Sequence, residues 1–502
     1  MALAAPALLA YLWPMSLLLR NLLIALAVVI LISGVGAWLL HGNRSDQPIA
    51  RFEGANPRLV DPQPETIPTI ALVKTVGWAP GQAPSPAPGL TVSRWAEGLN
   101  HPRTMLTLPN GDVLVAETSG PRGGDGGGVT GFFQRLGMRF VGADIPSPDS
   151  IVLLRDGTGT GKAGQRFVLR HGDGLSSPSG MAWGGGTLYV ANHNAVLAFP
   201  YPLGATALTG PPRKIMNLPG GGQHWMRNLL LSPDGKMLYV AIGSSSNIAE
   251  HGMAAEAGRA AIYEIDLATG HARQYAAGMR NPNGLAWNPA SGELWTTVTE
   301  RDQLGPDLVP DFLTNVPVGA HYGWPWVYWK NIIDDRVDAP MPEFLTDYTR
   351  KPEFALGPHV AALGLVFARG GERLGPGFGD GAFIARHGSW NRKPLSGYDV
   401  VFVKFDDHGN PHGLPVPVLT GFLDQNGDTH GRPTWVTWAG DGALLVSDDT
   451  GGIIWRVIAP GAAATATIKP VKTDHLPAPK NLVPPDQQQF EAQFGKSAKV
   501  RQ

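Results

Sequence analysis

Cysteine is missing altogether from the 502 residues. That excludes disulfides, thiolate metal sites, a cysteine nucleophile and thioether attachment of haem, so any redox chemistry has to use another cofactor. The chain has little net charge, −1, since 40 Lys and Arg stand against 41 Asp and Glu. With no block of like charge along the chain, there is no basic field for nucleic acid. No G-x-G-x-x-G fingerprint opens a helix after a strand, so the arrangement that cradles a nicotinamide dinucleotide is absent. Turn-forming residues, in contrast, are abundant: Gly 65 and Pro 45 exceed a fifth of the chain, against roughly 12% in average usage. Such punctuation predicts many short strands and few long helices.

The exception lies at the N-terminus, where residues 22–40 read LLIALAVVILISGVGAWLL without a charge. At about 1.5 Å per residue this run matches a hydrocarbon core of about 30 Å. It predicts a transmembrane helix, and it is longer than the ~7–15 apolar residues of a cleaved signal peptide. Residues 1–19 are apolar too but contain Pro6 and Pro14, and Met15 offers a second possible start. Arg20 before the helix and Arg44 and Arg51 after it leave the positive-inside count nearly balanced. Residues 42–89 carry the Pro, Gly and Asp of an extended linker, and residues 459–502 resemble them in composition. The folded domain is expected over residues 90–458.

Within that span one phrase recurs: an apolar strand, a glycine turn and a second apolar strand. It begins as PRTMLTLPNGDVLVAET (102–118) and ends as RPTWVTWAGDGALLVSDD (432–449). Aligning Gly111, Gly186, Gly235, Gly292, Gly381 and Gly442 gives six units at irregular spacing, on average longer than the ~40–50 residues of common propeller blades, as loop insertions would make them. Each unit is a hairpin that must stack on its neighbours to bury both faces. An all-β, six-bladed β-propeller meets that need, whereas a two-sheet sandwich explains the strands but not the recurrence.

In a propeller the entrance ends of the innermost strands share one ring. Before the first arms stand His101 and Arg103, Ser177 and Ser179, His224 and Arg227, Arg280 and Asn281, and Arg432. After the second arms come Glu117, Asn192, Ser244, Glu300, His387 and Asp448. Several arginines around one cavity imply an anionic ligand that accepts their donors. A histidine such as His224, in GGGQHWMRN, is a natural base near neutral pH, although a lone histidine is more often structural. Residues 299–312 concentrate Glu300, Asp302, Asp307 and Asp311, hard oxygen donors that suit Ca²⁺ or simply an acidic surface loop.

These residues, with the strings GMRNPNGLAWNP (278–289), ERD (300–302), GPDLVPDFLT (305–314), HYGWPW (321–326) and HGSWNR (387–392), resemble the glucose/sorbosone dehydrogenase family over residues 90–458, L-sorbosone dehydrogenases most of all. The resemblance implies a six-bladed propeller that oxidises a sugar with pyrroloquinoline quinone and Ca²⁺. It implies that His224 takes the proton of the anomeric hydroxyl while hydride passes to the quinone. Arg280, Asn281 and Arg432 would contact the cofactor, and Arg103 and His387 join them by ring position. Backbone oxygens near Arg301 and Asp302, with Asp307 on the same loop, would hold Ca²⁺, and Tyr322 marks a further calcium position. Ser179 and Thr434 stand where the glucose enzymes carry Gln and Arg, and the family's cofactor lysine has no clear counterpart beyond Arg392 or Lys393.

With no haem motif in the chain, electrons would leave to a separate acceptor, a respiratory quinone or cytochrome. The family's use of this cofactor would put the propeller on the periplasmic side of a bacterial inner membrane. Two other readings predict different features. A Ca²⁺-dependent propeller lactonase needs a ring dominated by Asp, Asn and Glu around one metal. A non-catalytic envelope-binding propeller needs an exposed aromatic surface, for which Trp324, Trp326, Tyr328 and Trp329 are the candidates.

Overall fold

The computed structural model describes residues 16–41, 44–65, 69–71, 73–121, 146–157, 159–368, 370 and 373–464; residues 1–15 and the tail beyond residue 464 lie outside them. The recurring hairpins are the inner halves of six antiparallel sheets. Their innermost strands are Pro102–Thr107, Gly180–Gly184, Arg227–Leu231, Asn281–Trp287, Ala362–Phe367 and Pro433–Trp438. Each touches the innermost strand of the next sheet, and the last touches the first, so the blades close around one axis. We number the blades 1 to 6 from Pro102.

Glycine permits this close approach. A Cβ on Gly180 would lie 2.3 Å from the Arg227 carbonyl oxygen, and one on Gly284 would lie 2.5 Å from that of Leu363. Five of the six aligned glycines do sit in tight turns with positive φ, but Gly381 begins the second strand of blade 5. Between blades the apolar faces merge: Trp295, Leu313 and Phe354 of blade 4 pack on Leu365, Ile384 and Val401 of blade 5. Blade 6 is closed by an early segment, since Thr91–Ala96 pairs along Ile453–Ile458 and supplies its outer strand. The two ends of the propeller domain thus hold each other, which leaves no open sheet between first and last blades.

The described residues of the proline-rich segment before Thr91 carry one 3-10 turn, Ile49–Phe52, and otherwise only two-residue strands, and they pack on the propeller at several points from Ser45 onward. Phe52 is fully buried, Glu53–Gly54 adds a strand to blade 4, and Ser85–Pro86 adds one to blade 5. Trp78 donates to the Asp448 carboxylate at 2.7 Å. At the front, the helix Leu17–His41 contains an 18-residue window of mean hydropathy 2.4, none of it buried by the protein. It is long and apolar enough to cross a membrane.

The aromatic cluster expected at an exposed surface is instead core. Trp324, Tyr328 and Trp329 are at most 8% exposed, and the Trp326 indole donates to the Ala339 carbonyl. They belong to a connection between the third and fourth strands of blade 4 that folds back on blade 3, where the Tyr322 amide bonds the Ala277 carbonyl.

Candidate active site

Loops joining the second to the third strand of a blade, and those joining one blade to the next, emerge at the same end of the propeller. His224 lies on such a loop, three residues before the inner strand of blade 3. Arg227, fully buried, curls the loop by donating to the carbonyls of Pro219 at 2.9 Å, His224 at 2.6 Å and Met226 at 2.9 Å. Gly243, at the end of the neighbouring strand, leaves room beneath it: a Cβ there would meet Asn281 Oδ1 at 2.3 Å and His224 Cβ at 2.6 Å. The base position and Asn281 therefore adjoin across blades 3 and 4.

The hydrogen bonds fix which nitrogen of His224 carries its proton. Nδ1 lies 3.0 Å from both the carbonyl oxygen and the hydroxyl of Ser244, and that hydroxyl donates to the Ser246 carbonyl at 2.6 Å. Both Ser244 oxygens can only accept, so Nδ1 is the N–H and Nε2 keeps the lone pair. Burial, followed by the Arg280 guanidinium, lowers the imidazole pKa to about 3. His224 is neutral at ordinary pH, with its basic nitrogen unpartnered among the described residues.

Arg280 reaches the Asn247 carbonyl at 3.2 Å, the Glu300 carbonyl at 2.7 Å and the Asp302 carboxylate at 2.8 Å. Asn391 of blade 5 donates to the other Asp302 oxygen at 2.8 Å, and His359 approaches it at 3.5 Å. Burial opposes ionisation of Asp302, but Arg280 and His359 overcome it and hold its pKa well below the usual range. Across the mouth, Asp449 of blade 6 accepts from Arg103 and, at 3.0 Å, from His387 Nε2. Burial and then the positive charge of Arg432 push His387 down to about 3, while His387, His101 and Arg103 outweigh burial and keep Asp449 ionised.

The two halves join. Arg103 Nε lies 3.4 Å from the Met226 sulfur and its guanidinium 5.7 Å from the Trp225 ring centre, both on the His224 loop. On the other side, residues 387–391 link His387 to Asn391. Arg432 donates to the carbonyls of His387 at 3.1 Å and Gly388 at 2.8 Å and lies over the Tyr398 ring. His224, Arg103, Arg280, Asn281, His387 and Arg432 thus converge from blades 1, 3, 4, 5 and 6 on one ring.

Other residues named from sequence fall elsewhere. Ser179 and Thr434 are fully buried, with Ser179 stitching blade 2 to the Arg227 backbone. Glu117 binds the Asn100 amide and Arg166. Asp448 turns inward under Trp78 and Trp455, and its neighbour Asp449 faces the ring. Sequence pattern had not singled out Asp449, Asn391 or His359. Tyr322 is core, 2% exposed, with its hydroxyl bonded to the Asn315 carbonyl.

Of the residues expected near calcium, only Asp302 joins the ring. The Arg301 side chain is fully buried against Glu300, Asp334 and the carbonyls of Pro325 and Val327. Asp307 is held by Arg392 at 3.0 Å and the Ser45 hydroxyl at 2.8 Å, which also commits Arg392. The carbonyls of Asp302 and Gln303 accept from Arg336 at 3.0 and 2.9 Å. Calcium takes about six to eight oxygens, and here guanidinium groups hold the Asp302, Gln303 and Pro306 carbonyls and one carboxylate oxygen each of Asp302 and Asp307, while Asn391, His359 and Ser45 engage three others. As they stand, these residues do not fit Ca²⁺, and no cluster of three metal-binding side chains occurs among the described residues.

A polar organic anion fits better. Asn281 Oδ1 is buried without a hydrogen-bond partner among the described residues, and such an orphaned acceptor in a ring calls for a ligand or water that donates to it. Three guanidinium groups face two carboxylates, leaving positive charge for an anion. Fold and site together define an all-β propeller with a cationic, imidazole-bearing ring at its mouth. The chain belongs to the TrAA12-like family, which matches residues 152–317 and 343–459.

Two relatives and two solved structures sharpen the comparison. An uncharacterized protein of Borreliella burgdorferi is 30% identical over 238 residues, 47% of this chain and 60% of its own length. A pyrroloquinoline quinone-dependent pyranose dehydrogenase of Coprinopsis cinerea is 30% identical over 127 residues, 21% of this chain and 16% of its own length. The chain therefore spans less than two thirds of either relative. The Trichoderma reesei family AA12 carbohydrate-active enzyme superposes with a TM-score of 0.60 at 21% identity, covering 75% of this chain and 98% of that one. The holo pyrroloquinoline quinone domain of the Coprinopsis cinerea pyranose dehydrogenase gives 0.57 at 20% identity, with 77% and 100% coverage. At these identities the structural likeness speaks to the fold.

Proposed function

We propose that the ring binds pyrroloquinoline quinone and that the chain is a quinoprotein sugar dehydrogenase acting on an aldose or sorbosone-type sugar. The observation that carries this reading is His224, a neutral imidazole with Nδ1 committed and Nε2 open, set beside the orphaned Asn281 amide and among Arg103, Arg280 and Arg432. The arginines would hold the cofactor's carboxylates, and Asn281 and His387 its polar edge. When bound, the quinone supplies a two-electron acceptor for hydride.

Nε2 of His224 takes the proton of the sugar's anomeric hydroxyl as the C–H bond is broken. The Ser244 carbonyl, already accepting from Nδ1, then stabilises the imidazolium and holds the ring in place. Arg227 keeps the loop curled so that Nε2 faces the ring, and the Arg280–Asp302–Asn391 chain fixes the opposite wall. Because the calcium donors are otherwise engaged, we assign the metal no step. The helix Leu17–His41 would anchor the propeller on the periplasmic side of a bacterial inner membrane, with electrons passing to a separate respiratory quinone or cytochrome.

The absorbance spectrum of protein reconstituted with quinone, before and after candidate sugars, tests this reading. Bleaching to the reduced form with an aldose or sorbosone is expected, and lactone hydrolysis without quinone would favour a lactonase. His224→Ala should slow dye reduction by about a hundredfold or more while quinone still titrates to the same stoichiometry. Simultaneous loss of binding and turnover would make His224 structural.

A further inference from the structure

His41 ends the apolar helix, and Ser45 follows four residues later. Ser45 is fixed on the propeller: it is 6% exposed, its amide donates to the Lys393 carbonyl at 2.8 Å, and its hydroxyl donates to Asp307. Both partners lie on second-to-third strand loops, the same loops that carry Asp302, His387 and Asn391 into the ring. Arg392 binds the two loops together through Asp307 and the Pro306 carbonyl. The chain that leaves the helix is thus fastened to the face bearing the ring.

Four residues at full stretch reach about 14 Å. The propeller's strands, mostly five to seven residues, cross it over roughly 20 Å, so the opposite face lies beyond the tether's reach. Trp390, on the loop that holds Ser45, is 48% exposed. Trp is a side chain that settles at membrane interfaces.

We propose that the propeller sits with its ring face toward the bilayer that its own helix crosses, Trp390 at headgroup depth. The proposal rests on the anchored reading above and names the surface that the anchor presents. A gap of about 14 Å admits a sugar or an acceptor carried in the bilayer. It excludes a folded soluble carrier, since even a 100-residue domain has a radius of gyration of about 13 Å.

The chain's lack of cysteine makes the test direct. His251→Cys places a label on an exposed ring-face loop, and Asn110→Cys places one on an exposed turn at the opposite end. Each full-length variant is labelled with a fluorophore and reconstituted into phosphatidylcholine and phosphatidylglycerol vesicles containing headgroup-nitroxide lipid. Both should float with the vesicles, and the label at 251 should lose most of its emission while the label at 110 keeps its own. Quenching at 110 equal to or greater than that at 251, with flotation intact, would overturn the orientation alone. Failure to float would overturn the anchor and the orientation with it.

Discussion

His224 shows how a side chain's chemistry follows from the partner of its other nitrogen. The Ser244 carbonyl fixes the tautomer, and burial together with Arg280 keeps the ring neutral. Ligand carboxylates that bind Arg280 would offset the second influence. Histidine NMR should therefore find His224 titrating near about 3 in the free protein and at higher pH once quinone is added; no movement would separate the quinone from Arg280. His387, also lowered to about 3, permits a linkage test. Its folded pKa lies below the unfolded value of about 6.5, so the unfolded chain binds the extra proton. Stability from this residue is intact above that pH and is lost as pH falls toward 3. His387→Gln should lose less stability than the wild type between pH 6.5 and 4 in denaturant titrations, and an identical slope would contradict the assignment.

At this scale the sequence was legible by type but not by register. A turn followed by an apolar arm locates the positions before the inner strands, which picks out Arg103, His224, Arg280, Asn281 and Arg432 but equally Ser179 and Arg227, which are fully buried. The Asp448–Asp449 pair was not legible: adjacent residues at a strand end face opposite ways, and two carboxylates in succession give no clue to which one turns outward. His359 and Asn391 lie on loops without periodicity, where only the closed ring reveals their meeting with Asp302.

Among elements, the early segments carry more than their composition suggests. Proline and glycine mark residues 42–89 as extended, yet an extended chain can equally lie free or complete a sheet edge. What decides it here is packed side chains scattered too sparsely to form a pattern, such as the buried Phe52 and the half-buried Trp78. Arg386 is the clearest fastener. It binds Asp399 at 2.7 and 2.5 Å, Glu53 of the early segment at 2.6 Å and the Leu356 carbonyl at 2.9 Å. Removing it leaves two carboxylates buried and uncompensated, so Arg386→Ala should cost about 3–5 kcal/mol in chemical denaturation. A loss below about 1 kcal/mol, the level of a surface pair, would mean that the early segment is not docked as described.

For the whole molecule, the sixfold recurrence made the propeller readable because each blade must bury both faces against similar neighbours. The calcium expectation was not readable in the same way: acidic residues over 299–312 look alike on paper, and only the fold shows Arg280, Arg336 and Arg392 occupying their oxygens. Everything functional depends on the ring accepting an anionic redox cofactor beside His224. The most direct measurement is calorimetric titration of pyrroloquinoline quinone into the wild type and into Arg103→Gln, Arg280→Gln and Arg432→Gln. One site per chain is expected in the wild type, with each substitution weakening binding by about ten- to a hundredfold, as loss of a charged hydrogen bond would. No binding to the wild type, or unchanged affinity in all three variants, would contradict the account.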